Sequence, residues 1–190
     1  MTKKEYSAPK LVLPMKIRRL NPMGYIHGQI NNQGIRHPGY DLNNGNNAWA
    51  DLGEPLYAPG DSLIVYAGEA GGFGTLIVGL LADKQLDPDT GKPIFLGWRI
   101  GHPQKIYVKE GQRVKKGELI GTCGNGGNLD MTPHAHFDMF RRSVMEDIHK
   151  KSGAKRWDYW DSLKYKRNNF KTLYVDPQRY FPEIDKIIPG

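Results

Sequence analysis

His134-Ala135-His136-Phe137-Asp138-Met139-Phe140 alternates polar and apolar side chains, the period of a half-buried β-strand. On a strand, residues two apart point to the same face. His134, His136 and Asp138 therefore share one side, and Phe137 turns to the other, toward a core. The two histidine Cα atoms stand roughly 6.5 Å apart by strand rise. That separation suits two imidazoles with two jobs at one site. One ring can bind a metal while the other reaches a water or substrate beside it. Asp138 can orient a ring as an outer carboxylate. Alone, a His-x-His pair is also compatible with an ordinary strand.

Upstream of this stretch the texture is that of short strands. Leu56–Ala58, Ser62–Ala67, Thr75–Ala82, Ile94–Ile100, Lys105–Val108 and Glu118–Cys123 are rich in strand formers, and Gly, Pro or Asp punctuates the gaps. The 23 glycines and 13 prolines in 190 residues favour turns and short strands over a helical bundle. Asp87-Pro88-Asp89-Thr90-Gly91 reads as a turn within a hairpin insertion, residues 83–93; the remaining ligand pattern of a calcium loop is missing. Residues 25–54 are polar, Asn- and Gly-rich and loop-like. One short helix is expected after the final strand, from a Ser143-x-x-Glu146 capping box to Gly153.

The chain is long enough for one domain with its own core. Its single cysteine, Cys123, excludes an intramolecular disulfide and a Cys-rich zinc finger. No apolar run approaches the ~20 residues of a membrane span, and residues 1–24 form a basic lead-in without the apolar stretch of a signal peptide. The net charge of +7 implies an acidic partner. Much of it lies in residues 141–171, where Lys and Arg interleave with Trp157, Tyr159, Trp160, Tyr165 and Phe170. That segment reads either as a solvated surface pinned by its aromatics or as a binding strip. No compact nucleic-acid motif accompanies it, so no nucleic-acid partner is expected.

Two further sites bear on chemistry. His37-Pro38-Gly39-Tyr40-Asp41 places Pro and Gly where the centre of a type II turn needs them, which would fold Asp41 back beside His37. An ordinary turn with a surface histidine fits the same residues. His102 ends an apparent strand before Pro103. His27, His149 and Cys123 read as structural.

Taken in order, a His-x-x-x-Asp segment, a strand-end histidine, a glycine-rich segment (Gly124-Asn125-Gly126-Gly127) and His134-Ala135-His136-Phe137 resemble the M23 family of zinc metallopeptidases, the lysostaphin- and LytM-like peptidoglycan endopeptidases. The likeness covers roughly residues 34–140. It includes Gly53-Glu54-Pro55-Leu56-Tyr57-Ala58-Pro59-Gly60-Asp61 and the hairpin from Val108 to Gly121. Pro103 and Ala135 stand where family members usually carry Leu. The resemblance implies a mainly β fold of antiparallel sheets, with long loops and a short C-terminal helix. With the basic tail after 142 lacking a family counterpart, the chain is read as a lead-in 1–24, a peptidase core 25–142 and a basic aromatic extension 143–190 packed on that core.

The resemblance further implies Zn2+ held by His37, Asp41 and His136, with His102 and His134 as catalytic histidines. A zinc-bound water would be the nucleophile. The sequence does not orient the rings; His134 is read as the more direct base and His102 as stabilising the tetrahedral intermediate. Bacterial peptidoglycan is the implied substrate, and the basic tail would hold anionic wall polymers. The expected location is extracellular, at the cell wall or in a phage virion. The alternative is a non-catalytic M23-like scaffold or cell-wall-binding module. The hairpin pattern of residues 108–120 also resembles biotinyl and lipoyl carrier domains, but no target lysine stands at its tip.

Overall fold

The computed structural model describes residues 6–17, 24–31, 34–44, 47, 49–128, 130–152, 157–158 and 170–186. Twelve strands and two helices are assigned among them. In chain order these are β1 (Gly39–Leu42), β2 (Pro55–Tyr57), β3 (Ser62–Ala70), β4 (Gly74–Leu81), β5 (Gln85–Leu86), β6 (Pro93–Ile94), β7 (Leu96–Gly101), β8 (Pro103–Ile106), β9 (Arg113–Val114), β10 (Leu119–Cys123), β11 (Ala135–Arg141), helix α1 (Arg142–Ser152), the four-residue helix α2 (Phe170–Leu173) and β12 (Tyr174–Val175). The fold is mainly β and antiparallel throughout.

A seven-stranded sheet runs β1-β11-β7-β4-β3-β9. β1 pairs with Ala135–Asp138 of β11, and β12 pairs with Met139 and Phe140, so both cover the same edge of that strand. A second sheet runs β2-β10-β8, and β5 with β6 forms the expected hairpin insertion.

Period-two alternation sorts side chains onto the faces of the large sheet. Tyr40, Leu42, Ile77, Trp98, Ile100, Phe137 and Met139 point into one core cluster. Leu11 and Met15 from the N-terminal segment, and Phe181 and Ile184 from the C-terminal one, complete that cluster. Leu76, Val78, Phe140, Met145, Trp157, Leu173 and Tyr174 pack in a second cluster, with Phe73. Asp41, Arg99, His136 and Asp138 occupy alternate positions, opposite to Tyr40, Trp98, Phe137 and Met139. They are buried polar groups on one side of three adjacent strands, β1, β11 and β7.

Several expectations are corrected. No turn forms at Pro38-Gly39. Gly39 opens β1, a strand buried along its whole length inside a stretch read as loop. His37 and Asp41 meet because alternate residues of an extended chain share a face and Gly39, between them, has no side chain. Gly39 is also required sterically: a Cβ there would lie 1.9 Å from the Phe137 carbonyl oxygen. The strand expected over Ile94–Ile100 is broken at Phe95, into β6 and β7. Helix α1 begins at Arg142, so Ser143 lies within its first turn, and Glu146 accepts from Arg142 Nε at 2.7 Å instead of closing a capping box. Gly153 and most of the basic aromatic strip, including Tyr159, Trp160 and Tyr165, lie outside the described residues. The aspartates of the 87–91 turn hold Arg141: Asp87 accepts from Nε at 3.0 Å and Asp89 from Nη2 at 2.7 Å.

Candidate active site

Strand β11 is the centre of the site. Asp41 pairs with His136 across β1 and β11, and Gly101 pairs with His136 across β7 and β11. These registers bring Asp41 beside His136 from one flank and deliver His102, just past the end of β7, from the other. His134 bridges to Gly124, its N–H bonding the Gly124 carbonyl at 3.1 Å.

His102 carries a φ of 67°, the only positive value among the described non-glycine residues. Such strain persists where surrounding structure enforces it. Here the His102 N–H bonds Thr75 O, and its carbonyl accepts from Gly126 N–H. Gly126, at φ 62°, sits against Phe73 O, where a Cβ would come within 2.4 Å. The glycine-rich segment thus lets two backbones close around the histidine.

Three of the four rings donate to a backbone carbonyl that fixes their tautomer. His37 Nδ1 donates to Gly39 O at 2.8 Å, which turns Nε2 to within 3.1 Å of Asp41 Oδ1. His136 lies between two carboxylates, with Nε2 3.0 Å from Asp138 Oδ2 and Nδ1 3.2 Å from the same Asp41 oxygen. His102 Nδ1 donates to Phe73 O at 2.8 Å, and His134 Nδ1 donates to Thr132 O at 2.8 Å. Both of those rings present Nε2 to the cleft side. His134 Nε2 stands 3.7 Å from Asp41 Oδ1, and the His102 and His134 rings are 4.8 Å apart.

Three potential ligand atoms, His37 Nε2, Asp41 Oδ1 and His136 Nδ1, converge at one buried point. They lie within 4.8 Å of one another and form a group that can hold a metal ion. Such atoms repel unless a proton or a cation lies among them. The electrostatics agree. Burial opposes ionisation of Asp41, but His37, His136 and His134 outweigh it and hold the carboxyl well below its usual range. Burial likewise opposes a charged His136, yet Asp138 and Asp41 raise its pKa. Burial first, then the charges of His134 and His136, pushes His102 down to about 3.

The group opens into a cleft of about 820 Å3. Its walls include Tyr25 and Asn31 from the polar N-terminal stretch, Phe73 from the β3–β4 turn and Thr132 from the loop before β11.

All six residues singled out in the sequence lie together: His37, Asp41, His136, His102, His134 and Asp138. The three histidine-or-cysteine positions read as structural lie elsewhere. His27 donates to Pro38 O at 2.7 Å, His149 stands edge-on to Trp157 at 4.2 Å, and Cys123 is buried in the core. Two participants were missed. Tyr25 N–H donates to Asp41 Oδ2 at 3.1 Å, and nothing local marks it. Arg99 is fully buried and donates to both oxygens of Asp138. Its signal was available: one charge inside the apolar run Leu96–Ile100.

The sequence profile of Peptidase family M23 matches residues 37–148, well over half of the chain. The glycyl-glycine endopeptidase ALE-1 of Staphylococcus capitis is 29% identical over 160 residues, covering 77% of this chain and 41% of its own length. The peptidoglycan DD-endopeptidase ShyA of Vibrio cholerae is 29% identical over 99 residues, covering 52% and 20%. Morphogenesis protein 1 of Bacillus phage B103 is 27% identical over 97 residues, covering 51% and 25%. The chain thus spans well under two thirds of each of these relatives. Among solved structures, lysostaphin from Staphylococcus simulans superposes with a TM-score of 0.54 at 21% identity, covering 95% of this chain and 56% of that one. A zinc-containing peptidase from Vibrio cholerae gives 0.54 at 23%, covering 71% and 38%. Both show a shared fold.

Proposed function

Since the chain belongs to peptidase family M23, we propose that it is a zinc-dependent endopeptidase that hydrolyses peptide bonds in bacterial peptidoglycan. His37, Asp41 and His136 would hold the zinc, and His102 and His134 would move protons beside it. The observation that carries the reading is the convergence of His37 Nε2, Asp41 Oδ1 and His136 Nδ1. The far side of each ring is tied to an oxygen acceptor, so His37 Nε2 and His136 Nδ1 are the nitrogens turned to the metal position.

The donor set fits the metal. Zinc takes imidazole nitrogen and carboxylate oxygen at about 2.0–2.2 Å, and catalytic sites use three protein ligands. Tetrahedral ligand atoms at that distance stand about 3.4 Å apart, close to the 3.1 and 3.2 Å between Asp41 Oδ1 and the two rings. Bound there, zinc supplies Lewis acidity that polarises a carbonyl and lowers the pKa of water toward 7.

The chain's own groups supply the proton transfers. His134, its side chain 15% exposed at the cleft and tied at Nδ1, turns Nε2 toward the site and is placed to take a proton and pass it to solvent. His102 is buried and tied at Nδ1, and burial pushes its pKa down to about 3, which makes it a weak base beside His134. This division follows the roles read from the sequence, and it rests on the burial difference between the two rings. The strained backbone at His102 fixes its ring in place.

Peptidoglycan as substrate draws support from the peptidoglycan and glycyl-glycine endopeptidases among the relatives. Retention on anionic wall polymers through the basic segment, and action at the wall outside the cell, follow from the same reading with the +7 charge. A virion-borne role draws support from the phage morphogenesis protein among the relatives. Digestion of purified muropeptides, with the products read by mass spectrometry, tests the proposal. Cleavage of a stem or cross-bridge peptide bond that stops on zinc removal and returns with zinc is expected. Intact muropeptides with zinc-loaded protein, or cleavage that survives zinc removal, would contradict it.

A further inference from the structure

We infer that Arg99 is a positioning residue of the metal site, and that Trp157 and Tyr174, beyond the family-matched residues, complete its support. This rests on the zinc reading above.

Arg99 leaves the middle of β7 on the site face and is wholly buried with Asp138. Its Nε donates to Asp138 Oδ1 at 2.9 Å and Oδ2 at 3.0 Å, and Nη2 donates to Oδ2 at 2.8 Å. Nη1 donates to the Trp157 carbonyl at 2.9 Å, and Nη2 to the Tyr174 hydroxyl at 3.1 Å. The guanidinium lies between two rings, with Cζ 5.3 Å from the Phe73 centroid and 5.4 Å from that of Tyr174. Every side of the group is thus specified, and its planar fork leaves Asp138 a single orientation.

That orientation matters one step further on. With both oxygens accepting from Arg99, Asp138 offers only acceptor capacity to His136. His136 Nε2 must then be the donor, and this bond holds the ring with Nδ1 toward Asp41, where a metal would take it. An Asp138 free to rotate would leave Nε2 without that acceptor. The ring could then turn and carry Nδ1 away from Asp41 and His37. Outer partners of metal-bound histidines act in this way elsewhere, fixing tautomer and ring orientation. Phe73 extends the linkage: its ring packs on Arg99 and lies 5.4 Å from His136, while its carbonyl holds His102.

The family match ends at residue 148. Trp157 and Tyr174 lie after it, so residues C-terminal to the matched region clamp the outer side of the relay. Part of the segment that the sequence offered as a surface strip is structural to the metal site.

The test uses the whole chain and compares wild type with Arg99→Lys and Tyr174→Phe. Zinc affinity is measured by competition with a chromophoric chelator. The state of the His136 ring nitrogens in the zinc-loaded protein is read from imidazole 15N shifts. Arg99→Lys keeps the charge but loses the fork, and zinc should bind about 10–100-fold more weakly. The His136 signals should move away from the wild-type pattern of a metal-bound Nδ1 and a protonated Nε2. Tyr174→Phe should weaken zinc several-fold with the metal-free fold retained. Zinc affinity and His136 signals unchanged in both variants would overturn the inference. If Arg99→Lys fails to fold, Tyr174→Phe decides alone, and wild-type affinity there overturns it. A His37→Ala control separates the two claims: if it keeps wild-type zinc affinity, the zinc reading has failed, not the role of Arg99.

Discussion

Replacing Gly39 with alanine probes how the fold builds the site. The added Cβ would lie 1.9 Å from Phe137 O, 2.6 Å from Phe137 C and 2.7 Å from Asp138 Cβ. Two of these atoms are backbone and cannot rotate away. Ordinary contact begins at 3.4 Å, so β1 must move from β11 by about 1.5 Å. Overpacking of this kind costs about 1–3 kcal/mol, and the loss of β1 pairing adds to it. The functional effect should be larger than the loss of stability. β1 carries Asp41, β11 carries His136, and their register is the one that faces Gly39 with Asp138. A metal site tolerates roughly 0.2 Å in its ligand distances, far less than the displacement. Urea unfolding of the metal-free protein and chelator competition for zinc measure the two effects. Gly39→Ala should unfold at lower urea and bind zinc at least about 10–100-fold more weakly, the loss that even outer-partner changes produce. Gly72→Ala is the control, since a Cβ there meets nothing within 4 Å. Wild-type zinc affinity in a folded Gly39→Ala protein would refute the steric argument.

Two further outcomes follow from the same geometry. Gly126→Ala forces a Cβ to within 2.4 Å of Phe73 O, the acceptor of His102, at a φ of 62°; turnover of muropeptides should fall about 100-fold, the scale of a 1 Å misplacement, while zinc content stays at the wild-type level. Asp87, hydrogen-bonded to Arg141, has its pKa lowered from 3.8 by that bond, against burial. Its contribution to stability is therefore full above pH 3.8 and is lost as the pH falls through its lower folded value. Urea midpoints measured down through that range should drop in the wild type and drop less in Asp87→Asn.

The strands of the large sheet were legible because β3, β4, β7 and β11 alternate or run apolar between glycine and proline breaks. β1 was not, since its sequence, Gly-Tyr-Asp-Leu, follows a proline and carries only two apolar residues. It becomes a strand through burial against β11, a tertiary effect. The juxtaposition of His37 with Asp41 was expected, but through a turn; an extended chain achieves it by period two. The six site residues were legible as types and spacings. The setting of two rings was not, because it depends on partners far away in sequence: Phe73 accepts from His102, and Asp41 faces His136 across β1 and β11. Arg99 could have been noticed as a charge in an apolar strand. Its partners at Trp157 and Tyr174 could not, as they lie 58 and 75 residues away.

The division between metal ligands and proton-transfer groups is the central claim, and paired measurements of zinc content and muropeptide turnover in two variants test it most directly. The wild type should carry one zinc and cleave. His136→Ala should carry none and be inactive. His134→Ala should retain zinc and lose turnover. Loss of zinc from both variants, or its retention by both, would contradict the assignment.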